Sequence, residues 1–152
     1  MSDIIQLRQD FTVALILAAR QWRRTVAESV IDLGVSEACV SPLLWAGRLG
    51  GGVRQVALAD YVGIEGPSLV RLIDQLEASG LVERRDDPTD RRAKTIWLTE
   101  AGKGVSARIE QRLVKLRGDA LGEIAPERLA DMLETLQMFS AGQVRLKAEL
   151  AS

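Results

Sequence analysis

Apolar positions near the start of the chain recur at steps of three and four: Ile4, Leu7, Phe11, Leu15, Ala18, Trp22, Val26, Val30 and Leu33. That is the period of one face of a helix, and Gly34 follows where a left-handed residue commonly ends one. A helix over these positions is about 45 Å long, at a rise of about 1.5 Å per residue. A globule of this size does not cover that length, so part of the stripe is expected to meet another subunit. Leu129, Met132, Leu136, Phe139, Gln143, Leu146 and Leu150 repeat the pattern at the other end, behind Pro126, whose missing N–H costs nothing at a helix start. A third run, Val105, Ile109, Leu113, Leu116, Ala120 and Ile124, precedes it, with Thr99 as its candidate cap. These stripes predict a dimerisation layer built from both ends of the chain; an ordinary monomeric bundle is the alternative.

Between the long stripes the pattern shortens. Residues 36–49 read as a helix with Val40, Leu43 and Leu44 on its apolar face. Pro42 is expected to kink it or to mark its true start after Ser41. Gly50-Gly51-Gly52 is a turn, and short helices over 56–62 and 67–79 follow, separated by Gly63-Ile64-Glu65-Gly66. After Gly80, residues 81–85 and 94–98 alternate as strands around a polar tip, which predicts a β-hairpin. Two short helices on a tight glycine turn, then a hairpin, are the parts of a winged helix-turn-helix. Ala59 is small where the helices cross, and Gly63 can take the positive φ that the turn needs. Leu58, Val62, Ile64, Leu69, Leu72, Ile73 and Leu76 supply the locking apolar faces, and Pro67 fits a first helical turn. The expected fold class is mainly α with a small β-wing: residues 1–34 and 100–152 form the helical dimerisation region, and residues 35–99 the winged helix-turn-helix lobe.

Composition narrows the function. With 152 residues, 47% of them hydrophobic and 27% charged, the chain has the make-up of a folded protein able to bury a core. Cys39 is alone, so no internal disulfide forms, and there is no histidine. That removes His-based acid–base catalysis, Ser-His and Cys-His dyads and most transition-metal sites. No enzyme activity, cofactor or metal is expected. The longest apolar run, Val13 to Ala19, has seven residues, against roughly 20 needed to span a bilayer. Met1-Ser2-Asp3 lacks the basic start of a signal peptide, and with the lone thiol this points to the cytoplasm and away from a membrane. Net charge is −1, so a nucleic-acid partner has to be argued from local arrangement.

That arrangement is present. If Leu69, Leu72, Ile73 and Leu76 face inward, then Pro67, Ser68, Arg71 and Asp74 or Gln75 line the outer face of the second short helix. Arg71 can reach guanine O6 and N7, while Ser68 and the free N–H groups of the helix start can hold a phosphate. In the hairpin, Arg84, Arg85, Arg91, Arg92 and Lys94 place five cations within eleven residues, among Glu83, Asp86, Asp87 and Asp90. The charges nearly cancel, so a solvated, self-paired loop competes with a DNA-contacting one. Alternation favours contact: it sets arginines at the tip, where one can enter a minor groove, with Asp90 holding a neighbouring guanidinium.

From position 55 to Gly102, the stretches GIEGPSLVRLIDQLE and DPTDRRAK followed by LTEAG resemble the MarR/SlyA family of transcription regulators, and its SlyA branch in particular. The resemblance implies a homodimer whose terminal helices interlock and whose two winged lobes bind a palindromic operator in double-stranded DNA, as a repressor. By position, Pro67, Ser68 and Arg71 match the major-groove face, and Asp90 and Arg92 match the wing's Asp-x-Arg pair, with Arg92 or Arg91 in the minor groove. Gln55 matches a position that approaches phosphate. Cys39 does not match the sensing cysteine of the peroxide-responsive branch and reads as a small buried residue; Pro42 departs from the family pattern. The resemblance also implies a small aromatic acid as effector. Arg20, Trp22, Arg23 and Trp45 are candidates for its stacking wall and carboxylate partner, although tryptophans on helix stripes equally read as core. A helical dimeric adaptor using the winged lobe for protein partners is the rival reading.

Overall fold

The computed structural model describes residues 3–151. The chain packs as two compact units, one ending at Leu113 and one beginning at Val114. Helix α1 (Ile4–Val30) starts at Asp3, whose carboxylate accepts the Ile5 N–H at 3.2 Å. It ends in a 3-10 turn over Ile31–Leu33, closed by Gly34 at φ +70°. Of its apolar stripe only Val26 and Val30 are buried; Ile4, Leu7, Ile16 and Leu17 are more than half exposed.

Helix α2 (Glu37–Arg48) runs through Pro42, so the proline neither starts the helix nor divides it. Its missing N–H would have bonded to the carbonyl of Ala38, an exposed residue in the first turn of the helix. The proline ring itself is buried with Leu43 and Leu44. Strand β1 (Val53–Arg54), helix α3 (Gln55–Val62), helix α4 (Gly66–Ala78) and strands β2 (Val82–Asp86) and β3 (Lys94–Leu98) follow. The sheet is antiparallel in the order β1-β3-β2, with Val53 opposite Ile96 and Arg84 also opposite Ile96.

Leu43, Leu58, Leu69, Ile73, Ile96 and Ile109 are fully enclosed and form one core under α2, α3, α4 and the sheet. The α3–α4 turn depends on Gly63, at φ +77°, whose N–H closes on the Ala59 carbonyl at 2.9 Å. Helix α5 (Glu100–Leu121) is capped by Thr99: its hydroxyl oxygen accepts the Gly102 N–H at 3.0 Å and donates to the Gly80 carbonyl. Near the other end of the first unit, Arg112 donates to both carboxylate oxygens of Asp32, at 2.7 Å for the longer bond, which lowers the acid's pKa.

The second unit holds the end of α5 and helix α6 (Pro126–Leu150), which buries none of its residues. Leu133, Met138, Val144 and Leu146 are all more than half exposed. No single helix among the described residues is long and apolar enough to cross a membrane.

Candidate nucleic-acid interface

Helix α4 buries Leu69, Ile73 and Leu76 and turns Pro67, Val70, Arg71, Asp74 and Gln75 to solvent. Its first turn is open: Glu65 at the cap makes no side-chain bond to it, so free backbone N–H groups surround Pro67 and half-buried Ser68. Arg71 lies one turn further in, with no hydrogen bond or ion pair from its side chain to any described residue.

The wing sorts its cations into two groups. Arg91 and Arg92 stand exposed at the tip, their guanidinium groups without a partner among the described residues. Lys94 pairs with Asp86 across the hairpin. Arg85 pairs with Glu83 and lies over the Trp97 ring, 4.4 Å from its centroid. Arg84 binds Asp74 and Glu77 of α4, and its Nε donates to Gln55 Oε1 at 3.0 Å. Gln55 is therefore already engaged through its oxygen, and its Nε2 donors remain.

Asp90 differs from expectation in what it holds. Its carboxylate accepts the backbone N–H of Arg92 at 3.0 Å, not a guanidinium, and so shapes the tip turn. Within the tip turn it is Asp87, only 7% exposed, whose carboxylate holds a guanidinium. It accepts from the Thr89 hydroxyl (2.6 Å), the Thr89 N–H (2.8 Å), the Asp90 N–H (3.2 Å) and Arg54 Nε of β1 (2.8 Å). The Thr89 bonds, then Arg54, hold its pKa far below the usual carboxylate range. An aspartate with a threonine two residues on is a known turn-closing pattern, so Asp87 was readable in principle. Arg54 was not, because it lies outside the hairpin.

The candidates for an effector site divide. Trp45 stacks with Tyr61 of α3, ring centroids 5.1 Å apart, and has Arg48 over its ring at 5.5 Å. Its faces thus already have neighbours within the lobe. Arg20 and Arg23 are exposed on α1, and Trp22 is half-buried. Cys39 is buried, its thiol donating to Gln75 Oε1 at 3.5 Å. Among the described residues no group of three His, Cys, Asp or Glu side chains is placed to hold a metal ion.

A three-helix lobe with a two-stranded wing, an open recognition-helix start and free arginines on helix and wing defines a winged helix-turn-helix protein. Comparisons agree. Residues 33–93 match the model of the MarR family. The solved transcriptional regulator PA3341 is 36% identical, with a TM-score of 0.79 over 89% of this chain and 98% of that one. A MarR-family transcriptional regulator from Rhodococcus sp. RHA1 is 28% identical, at a TM-score of 0.76 over 88% and 94%. A mutant MarR from E. coli, solved with operator DNA, shares the fold at 20% identity and a TM-score of 0.78 over 91% and 99%. The chain belongs to the MarR family of winged-helix transcriptional regulators.

Proposed function

We propose that this chain binds a palindromic operator in double-stranded DNA as a homodimer and represses transcription, acting in the cytoplasm by binding and not by catalysis. The observation that carries the reading is the sorting of cations. The lobe pairs Arg54, Arg84, Arg85 and Lys94 with its own acids yet leaves Arg71, Arg91 and Arg92 free. Those three sit on the outer face of α4 and on the wing tip, the two parts of a winged lobe suited to adjacent grooves. Pro67, Ser68 and the open start of α4, with the Nε2 donors of Gln55, would hold phosphates and set the register. Asp90 would shape the tip from which Arg91 and Arg92 reach. Lys94 adds a screened charge, since Asp86 neutralises it.

The exposed apolar flanks of α1 and α6 support the homodimer, with residues 1–34 and 100–152 as its dimerisation region and residues 35–99 as its DNA-binding lobe. Two lobes would then read half-sites about one helical turn apart. A small aromatic acid would release the DNA only by binding the unbound form more tightly. Its site would draw on Trp22, Arg20 and Arg23 of α1, while Trp45 would have to leave Tyr61. Selection of duplexes from a random-centre library by the full chain tests the reading. Enrichment of a palindrome whose binding is weakened in Arg71→Ala and Arg92→Ala supports it, and no enrichment refutes it. Binding indifferent to both changes favours a protein-docking lobe.

A further inference from the structure

Arg84 lies among the wing cations in sequence, but its surroundings set it apart. It stands on β2 opposite Ile96, and its side chain is 18% exposed. Its guanidinium reaches two helices. Nε donates to Gln55 Oε1 at the start of α3 (3.0 Å), Nη1 to Glu77 Oε1 (3.1 Å), and Nη2 to Asp74 Oδ1 (2.6 Å) and the Val70 carbonyl (3.3 Å), the last three on α4. The backbone N–H of Arg84 also donates to Glu77 Oε2 at 3.1 Å. A guanidinium carries five N–H donors in one rigid plane, so these bonds fix one another's directions. Two carboxylates neutralise the charge, which leaves little for a phosphate.

We propose that Arg84 is a positioning residue of the DNA interface: it sets the recognition helix against the wing and orients the Gln55 amide, without contacting DNA. The proposal rests on the DNA-binding reading above. Val70 and Asp74 are one turn apart and bracket Arg71, so Arg84 grips the turn that carries the base-reading side chain. Arginine only donates, so Gln55 must present its oxygen inward and its Nε2 to an acceptor outside the lobe. Arg54, the neighbour of Gln55, clasps the wing tip through Asp87. The β1–α3 junction is thereby tied to the root and the tip of the same hairpin. A lysine cannot replace Arg84, because one ammonium does not span acceptors on two helices.

The test compares the full chain and its variants on the duplex selected by the wild type and on a scrambled duplex of equal length. Asp74→Ala combined with Glu77→Ala removes two exposed acceptors and two negative charges. Charge alone would then tighten binding to both duplexes and leave their affinity ratio unchanged. Positioning lowers the ratio, by about tenfold for groups sharing one bonded network. Arg84→Met and Arg84→Lys should lower it similarly, with the slope of log affinity against log salt staying at the wild-type value. A lost phosphate contact would instead make that slope shallower by about 0.9. An unchanged ratio in the double variant, or a shallower slope in Arg84→Met, overturns the proposal. If Arg84→Met does not fold, the double variant decides alone. Should Arg71→Ala lose affinity while the ratio holds in these variants, only the positioning role falls. A wild type that selects no duplex removes the DNA reading and this proposal with it.

Discussion

Truncating Arg71 removes a guanidinium that holds nothing else in the chain, so its loss is felt only at the interface. Arg71→Ala should cost about 1–3 kcal/mol of binding and relax preference at one base pair, measured by anisotropy titration against single-base variants of the selected duplex. Arg92→Ala should weaken all sequences alike and make the salt slope shallower. Lys94→Ala should change affinity little, because Asp86 already screens that ammonium. Asp87 belongs to a different class. Its pKa is depressed in the folded chain, so its contribution is complete above the unfolded carboxylate value of about 3.9 and is lost as pH falls below it. Melting curves across that acid range should show wild type losing stability more steeply than Asp87→Asn; parallel profiles would refute the clasp. Arg71 is legible in sequence because the helical period places it outside, and Arg91 and Arg92 because they fall in the polar turn between two strands. The partners of Arg84, and the Arg54 that Asp87 holds, are not legible, because a row of alternating charges does not reveal which acid meets which cation.

Elements were legible in proportion to their length. The long stripes announce α1, α5 and α6, and Gly63 and Thr99 mark an end and a start by their own chemistry. Strand β1, at two residues, has no period to detect and exists through its pairing with β3. The continuity of α2 through Pro42 was hidden for a related reason: whether a lost hydrogen bond matters depends on whether the orphaned carbonyl faces water. Gly102 shows what sequence leaves out altogether. A Cβ built there would stand 1.9 Å from the Leu81 carbonyl oxygen, so α5 can approach the start of the wing only through this glycine. Gly102→Ala should destabilise the lobe by roughly 1–3 kcal/mol, as overpacking does, and lower its thermal midpoint. An unchanged midpoint would mean that α5 shifts freely.

For the whole molecule, the uncovered flanks of α1 and α6 are the largest departure from what a self-sufficient monomer shows. Leu17 and Leu133, both more than half exposed, sit on them. Leu17→Glu and Leu133→Glu should each yield single chains by light scattering while the winged lobe stays folded. The wild-type melting temperature should rise with protein concentration, as assembly stabilises the native form; a concentration-independent value would argue for a monomer.

Trp97 carries a further consequence. Its ring lies against Gly51 and Gly52, where an added Cβ would come within 2.8 and 2.9 Å of it, under the guanidinium of Arg85. The chain has three tryptophans, and the other two lie on α1 and α2. A version with Trp22→Phe and Trp45→Phe would therefore glow from the hairpin alone. Its emission wavelength and quenching would follow wing movement in real time, with no dye attached.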